Sequence, residues 1–179
     1  TEANWLHAGM AGVTDAIFLV ANVGASLIAF LAAISFFNSV FNWFCMLAGT
    51  QDGTCTLDSI FGYIFMPLAW TMGVEWEDCM DVGQLIGIKT MVNEFVAYSE
   101  LSKMVDKGTL TRRSEVIATY ALCGFSNLGS MGIMLGGFNA MAPERREDFA
   151  KVVFRAMVAG SSACFLTACV AGVLLSDAK

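Results

Sequence analysis

Asn93-Glu94-Phe95-Val96-Ala97-Tyr98 decides how this chain is read. Glu94 lies inside an otherwise apolar stretch, with neutral side chains for several positions on either side. In water such a carboxylate needs no explanation. Inside a bilayer an ionisable group is costly unless it has a partner, and it then marks a functional site by default. Which solvent surrounds residues 83–104 is therefore the first question.

Composition answers it. Hydrophobic residues make up 56% of the 179, aromatics 12% and charged residues only 15%, with a mean hydropathy of +0.63. A soluble domain carries about 25% charged residues. The charges are also segregated, since residues 16–51, 116–143 and 156–176 contain none. Each run exceeds the roughly 18 to 20 apolar residues that cross a hydrocarbon core. The fold class is all-α integral membrane, multi-pass, with the lipid bilayer as a partner. The net charge of −6 sits in the connecting segments. No basic stripe runs beside stacking aromatics, so nucleic acid is not an expected partner. Cysteines 45, 55, 79, 123, 164 and 169 form no CxxC and no zinc-like set with the single His7. Cys123, Cys164 and Cys169 fall within spans and read as small packing residues. Cys45, Cys55 and Cys79 lie near loops, and a disulfide among them stays open.

Residues 1–14 read as a Gly- and Ala-rich lead-in, without an initiator Met or the basic start of a signal peptide, as though cut from something longer. The first span is 16–44. Its polar residues Asn22, Ser26, Asn38 and Asn42 suit hydrogen bonding between helices, and Asn38 and Asn42 share a face. Phe41, Trp43 and Phe44 suit an interfacial belt. Residues 59–74 are apolar but short and contain Pro67, which predicts an interfacial or buried helix. Trp70 and Trp76 suit a headgroup boundary. Glu75, Glu77, Asp78 and Asp81 are not spaced like a cation loop and read as a solvated exit from the membrane.

Residues 83–104 are apolar on average yet carry Lys89, Asn93, Glu94, Glu100 and Lys103. A straight crossing and a re-entrant hairpin both put Glu94 at mid-depth. The hairpin is favoured, because Asn93-Glu94 suits a break and both ends are polar. Backbone that is not helical at that depth must line a cavity or be buried in protein. Residues 103–113 are a polar connector. The next span, 116–143, holds Gly124, Gly129, Gly132, Gly136 and Gly137, too many for an uninterrupted helix at about 1 kcal/mol each. Gly132 and Gly136 form a GxxxG pair that predicts a close helix contact. Around residues 124–130 glycines bracket Ser126, Asn127 and Ser130, the pattern of a discontinuous helix at the depth of Glu94. The basic loop at 141–151 is placed in the cytoplasm by its Arg145 and Arg146, although Arg112-Arg113 at the other end of the span weakens that contrast. The last span, 156–176, leaves the C-terminus outside and carries a small-residue stripe of Ala156, Gly160, Ala163, Thr167 and Ala171.

The run from Asn93 to Tyr98, followed by Ile117-Ala118-Thr119-Tyr120-Ala121-Leu122-Cys123-Gly124-Phe125-Ser126-Asn127-Leu128-Gly129-Ser130, resembles the concentrative nucleoside transporter family. Phe65-Met66-Pro67, Gly73-Val74-Glu75-Trp76 and Met141-Ala142-Pro143 fit in order and spacing. The resemblance covers nearly the whole chain, and it implies the C-terminal half of a longer transporter.

That resemblance implies a transporter-type inverted-repeat fold. Residues 16–44 become a scaffold transmembrane helix mediating contacts in a homotrimer, 59–74 an interfacial helix and 83–104 a re-entrant hairpin. Residues 116–143 become a broken transmembrane helix and 156–176 the last span. Glu94 matches the family's hairpin carboxylate, Asn127 and Ser130 its ribose ligands, and Phe125 the aromatic beside the sugar. The implied function is secondary active uptake of nucleosides across the plasma membrane by an elevator-type movement. The coupling ion is sodium, or protons in some members, and there is no cofactor. The main sodium site belongs to a first hairpin and broken helix that this chain does not contain, so no ion ligand is assigned here and this half alone is not expected to transport.

The chemistry agrees with this carry-over. A nucleoside is neutral, so affinity must come from hydroxyl hydrogen bonds and base packing. A carboxylate can accept from two ribose hydroxyls, and charge-assisted bonds are about twice as strong as neutral ones. Asn127 offers both donor and acceptor. Two other classes are weighed against transport. A membrane enzyme would use Glu94 with Ser126 or Ser130 as nucleophile, but the second glycine of a nucleophile elbow is missing and only His7 could act as base. A channel or structural membrane subunit is the other. Uptake against a gradient separates the transporter from both.

Overall fold

The computed structural model describes residues 4–49 and 56–175, and those residues form helices joined by short links. They are α1 (Trp5–Leu47), α2 (Leu57–Thr71), α3 (Cys79–Met91), α4 (Glu94–Asp106), α5 (Arg112–Leu122), α6 (Leu128–Met141) and α7 (Arg146–Leu174). Single 3₁₀ turns at Trp76–Asp78 and Pro143–Arg145 precede α3 and α7. The expected break at residues 93–94 falls between α3 and α4, and the expected discontinuity in 116–143 lies between α5 and α6.

The helices overrun the apolar runs that predicted them. Residues 5–14, read as a lead-in, belong to the 43-residue α1. The pair expected at 83–104 begins at Cys79, the span expected from 116 begins at Arg112, and the last helix begins at Arg146 rather than 156. Hydropathy marks the stretch matched to lipid. The hydrogen-bonded ladder continues into polar residues until a cap stops it. α2 runs through Pro67 without ending there, and the 3₁₀ turn and α7 together give 32 residues long and apolar enough to cross a membrane.

Side-chain caps set the starts of α2, α4, α5 and α6. Thr56 Oγ1 accepts from Ser59 N–H at 3.2 Å and Asn93 Oδ1 from Val96 N–H at 3.0 Å. Thr111 Oγ1 accepts from Ser114 N–H at 3.4 Å and Asn127 Oδ1 from Ser130 N–H at 2.7 Å. Each satisfies an otherwise orphaned donor of a first turn. Asn38 of α1 accepts from Leu57 N–H at 2.7 Å, which ties the start of α2 to α1.

The buried core lies where α2, α3, α4, α5 and α7 meet, around Leu85, Ile86, Ala97, Ile117, Leu122 and Ala168. Glycine permits the closest approach. A Cβ on Gly83 would lie 2.7 Å from Gly62 O, and one on Gly87 would overlap Phe61. The working small-residue pair is therefore Gly83 and Gly87, where α3 lies on α2. The expected contact at Gly132 and Gly136 is not made among the described residues, since a Cβ at either would meet nothing within 4 Å. The stripe expected on α7 holds only in part: a Cβ on Gly160 would lie 3.4 Å from Ser126 Cβ, and Ala171 is half-buried. Ala163 and Thr167 are exposed, whereas Ala168 and Gly172 are buried, and a Cβ on Gly172 would come within 2.9 Å of Ile117 Cδ1. Small side chains mark a helix as able to pack closely. The direction of the neighbour selects which of them do so.

The outer faces are apolar: Ile28 of α1 and Leu166 and Val173 of α7 are 72%, 68% and 80% exposed. An exterior of this kind requires lipid or protein against it. Cys45, near the end of α1, is disulfide-bonded, while Cys79 is a free thiol. The residues at 50–55, Cys55 included, lie outside the described residues.

The acidic cluster at 75–81 divides. Glu75 and Glu77 are exposed, but Asp78 is 4% exposed and is not part of a solvated exit. Its Oδ2 accepts from Thr111 N–H at 3.0 Å and Thr111 Oγ1 at 2.8 Å, which fastens the start of α3 to the start of α5. Burial pushes the Asp78 carboxyl upward, but hydrogen bonds with Ser114 and with the backbone and hydroxyl of Thr111 outweigh it and leave the pKa lowered. The stabilisation is therefore present above the unfolded value and is lost as pH falls through the folded one. Asp78→Asn in the full-length chain should lower the unfolding temperature at neutral pH. The gap to wild type should narrow as the buffer is taken below about pH 4; a gap independent of pH would show that ionisation of Asp78 contributes nothing.

Candidate functional site

Two helix starts converge on one carboxylate. Glu94 occupies the first turn of α4, directly after its cap Asn93, and is 6% exposed. Asn127 caps α6 and is 1% exposed. Asn127 Nδ2 donates to Glu94 Oε2 at 2.9 Å while its Oδ1 holds the Ser130 N–H. One amide thus closes the start of α6 and clasps the acid of α4. Aspartate could cap but would repel Glu94, whereas the asparagine amide accepts at its oxygen and donates at its nitrogen. A helix N-terminus carries a partial positive charge, and Glu94 lies in the first turn of α4. Asn127 uses one of the roughly four acceptor positions of the carboxylate.

The α5–α6 gap is shaped by close packing. Gly124 has φ +108°, and a Cβ there would lie 2.8 Å from Cys164 Sγ. Both the left-handed backbone and the space require glycine. The next residue, Phe125, is 71% exposed, and its ring stands 6.3 Å from that of Phe95, which follows Glu94 on α4. Ser126 Oγ accepts from Ser161 Oγ of α7 at 3.0 Å. A cavity of about 370 Å³ opens between α6 and α7, with Phe125, Asn127, Ser130, Met134 and Phe149 among its walls. Its lining is chiefly apolar, the character expected of a small-molecule pocket with a few polar groups at one end.

Of the residues singled out in the sequence, Glu94 and Asn127 are hydrogen-bonded to each other. Phe125 flanks them beside Phe95. Ser130 lies in the first turn of α6 and lines the cavity, which Glu94 does not. Ser126, considered as a nucleophile, pairs with another serine rather than a base. The side chain of His7 lies outside the described residues. Among those residues no cluster of three His, Cys, Asp or Glu side chains could hold a metal ion.

Sequence reasoning passed over the far side of the break. There the last carbonyls of α5 are met by three other helices. Tyr98 Oη of α4 donates to Thr119 O at 2.7 Å, Lys89 Nζ of α3 to Ala121 O at 3.3 Å, and Cys164 Sγ of α7 to Cys123 O. Lys89 is completely buried. The signal available in the sequence is a lysine within an apolar stretch, five positions before Glu94.

Comparison with known proteins places these features in a family. The family described as "Na+ dependent nucleoside transporter C-terminus" matches residues 1–172. Human "Solute carrier family 28 member 3" is 47% identical over 98% of this chain and 27% of its own length. Rabbit (Oryctolagus cuniculus) "Sodium/nucleoside cotransporter 1" is 46% identical over 97% of this chain and 28% of its own. The chain therefore spans about a quarter of the length of these curated relatives. The solved structure of CNTnw in an inward-facing substrate-bound state superposes with a TM-score of 0.88 at 39% identity, covering 97% of this chain and 42% of that one.

The cap and the clasp can be separated by mutation. Asn127→Ala in the full-length chain removes both, and the lost cap alone should cost about 1 kcal/mol. Asn127→Ser keeps a capping oxygen and should recover part of the lost unfolding temperature in detergent. Equal losses in the two variants would show that the cap of α6 contributes nothing.

Proposed function

The chain belongs to the Na+ dependent nucleoside transporter C-terminus family, and on that premise we propose that it is the C-terminal part of a secondary transporter that carries nucleosides across a membrane. The observation that carries this reading is the 2.9 Å contact between Asn127 Nδ2 and Glu94 Oε2 at two converging helix starts. A carboxylate held in a mostly apolar region, with acceptor positions to spare, is chemistry for a neutral ligand with paired hydroxyls. Glu94 takes the ribose hydroxyls, Asn127 and Ser130 complete the polar end, and Phe125 faces the sugar and base. A site built for hydroxyls discriminates against sugars that lack them, because its buried polar groups are then left unpaired.

On this reading α3 and α4 are a re-entrant pair entering and leaving by one membrane face, each about 20 Å long at 1.5 Å per residue. α5 and α6 form one interrupted crossing and α7 the return. The disulfide at Cys45 suits an oxidising face. The basic turn around Arg145 and Arg146, at the other end of the crossing, suits the cytoplasm. The names of the relatives support sodium as the coupling ion, with its main site in the part of the transporter that precedes this chain. α1 belongs to the scaffold of a homotrimer in the plasma membrane, against which the site-bearing helices move in elevator fashion.

Glu94→Gln in the full-length chain keeps an acceptor for Asn127 but loses the charge. Hydrogen bonds to charged groups contribute about 1.5–3 kcal/mol, so uridine or adenosine uptake at low concentration should fall at least about tenfold. Surface expression should stay largely intact, and normal uptake by this variant would remove Glu94 from the site. Asn127→Ala should weaken substrates with a 3′-hydroxyl more than 3′-deoxy analogues. Equal losses would count against a ribose role.

A further inference from the structure

Lys89 is a charged side chain without exposure, in a position the transport chemistry above does not use. It lies in the last turn of α3, and its Nζ reaches 3.3 Å from Ala121 O in the last turn of α5. Helix C-termini carry a partial negative charge, so the end of α5 favours this ammonium, which is itself borne on the last turn of α3. The Phe165 ring of α7 lies under it, 5.5 Å from Nζ to the centroid, a cation–π distance. Glu94, also buried, lies five residues further on, across the α3–α4 break. The arrangement is antisymmetric: the anion sits at two helix starts and the cation at two helix ends, within one packed group. Broken-helix transporters commonly place a coupling cation against the C-terminal ends of half-helices. Here a tethered ammonium takes such a position.

We propose that Lys89 is the resident counter-charge of Glu94, a positioning residue that makes the substrate-free α3–α6 unit electrically neutral so that it can return through the apolar part of the bilayer. The inference rests on the transport reading. A carboxylate without its counter-charge would have to cross hydrocarbon as a net anion or draw in a cation for each return. Moving an unpaired charge through lipid is costly enough to slow that step by at least about tenfold. The loaded unit, whose Glu94 is covered by substrate hydroxyls and accompanied by the coupling ion, would be affected much less.

Two modes of transport separate these steps. Net uptake needs the empty return, whereas exchange of internal for external nucleoside does not. The full-length chain is reconstituted in vesicles, with labelled uridine as the probe. Net uptake is driven by a sodium gradient into empty vesicles; exchange is measured with equal sodium and unlabelled uridine inside. Lys89→Met should lose net uptake at least about tenfold while exchange stays within about twofold, and Lys89→Arg should restore net uptake. Proportional loss of both modes in Lys89→Met, or unchanged net uptake, overturns the proposal. If Lys89→Met does not fold, Lys89→Gln and Lys89→Arg are compared in the same way. A variant pair with the same ratio of net uptake to exchange again overturns it. Failure of the wild-type chain in both modes would instead overturn the transport reading.

Discussion

The contact between Asn127 and Glu94 is the constraint around which the described helices are arranged. A carboxylate flanked by apolar segments requires hydrogen-bond donors from protein, and few helical geometries can supply them. A continuous helix has no free N–H groups in its middle. Breaking two helices frees first-turn N–H groups, which Asn93 and Asn127 meet with their amide oxygens, and leaves Asn127 Nδ2 to donate to Glu94. The interruptions between α3 and α4 and between α5 and α6 are thus consequences of placing Glu94 where it is. Asparagine caps at both, and at Asn127 the amide that accepts from its own helix also donates to Glu94.

Breaking a helix frees carbonyls as well as amides. Those of α5 are satisfied from outside by Lys89, Tyr98 and Cys164, one side chain from each of α3, α4 and α7. The interrupted pair therefore depends on its neighbours for hydrogen bonding as well as for packing. Glycines let the neighbours come near enough, with Gly83 and Gly87 against α2, Gly124 against Cys164 and Gly172 against Ile117. The polar latch from Asp78 to Thr111 closes the other end of the same group. This scaffold presents Phe125, Asn127 and Ser130 to a largely apolar cavity.

Much of this is legible in the sequence. The segregated charges fixed the helical class. The Asn93-Glu94 pair and the glycine-bracketed run at 124–130 located both breaks, because polar and glycine residues inside apolar runs have few other uses. Element ends were less legible, since α1, α5 and α7 extend into residues whose polarity signals the end of lipid rather than the end of a helix. Spacing does not show which small residues make the contact. Gly132 and Gly136 have the expected spacing, but Gly83 and Gly87 have the neighbour.

The sequence by itself determined that the chain is helical and apolar enough for a membrane, that its helices are interrupted twice, and which polar residues lie at the interruptions. These follow from the cost of polar groups in hydrocarbon, a local property of each residue. Only the tertiary structure decided that Asn127 donates to Glu94, that Asp78 is buried while Glu75 and Glu77 are exposed, and that Lys89 faces the end of α5. Each is a relation between segments distant in the chain, set by the direction and separation of packed helices. A one-dimensional pattern of polarity carries neither.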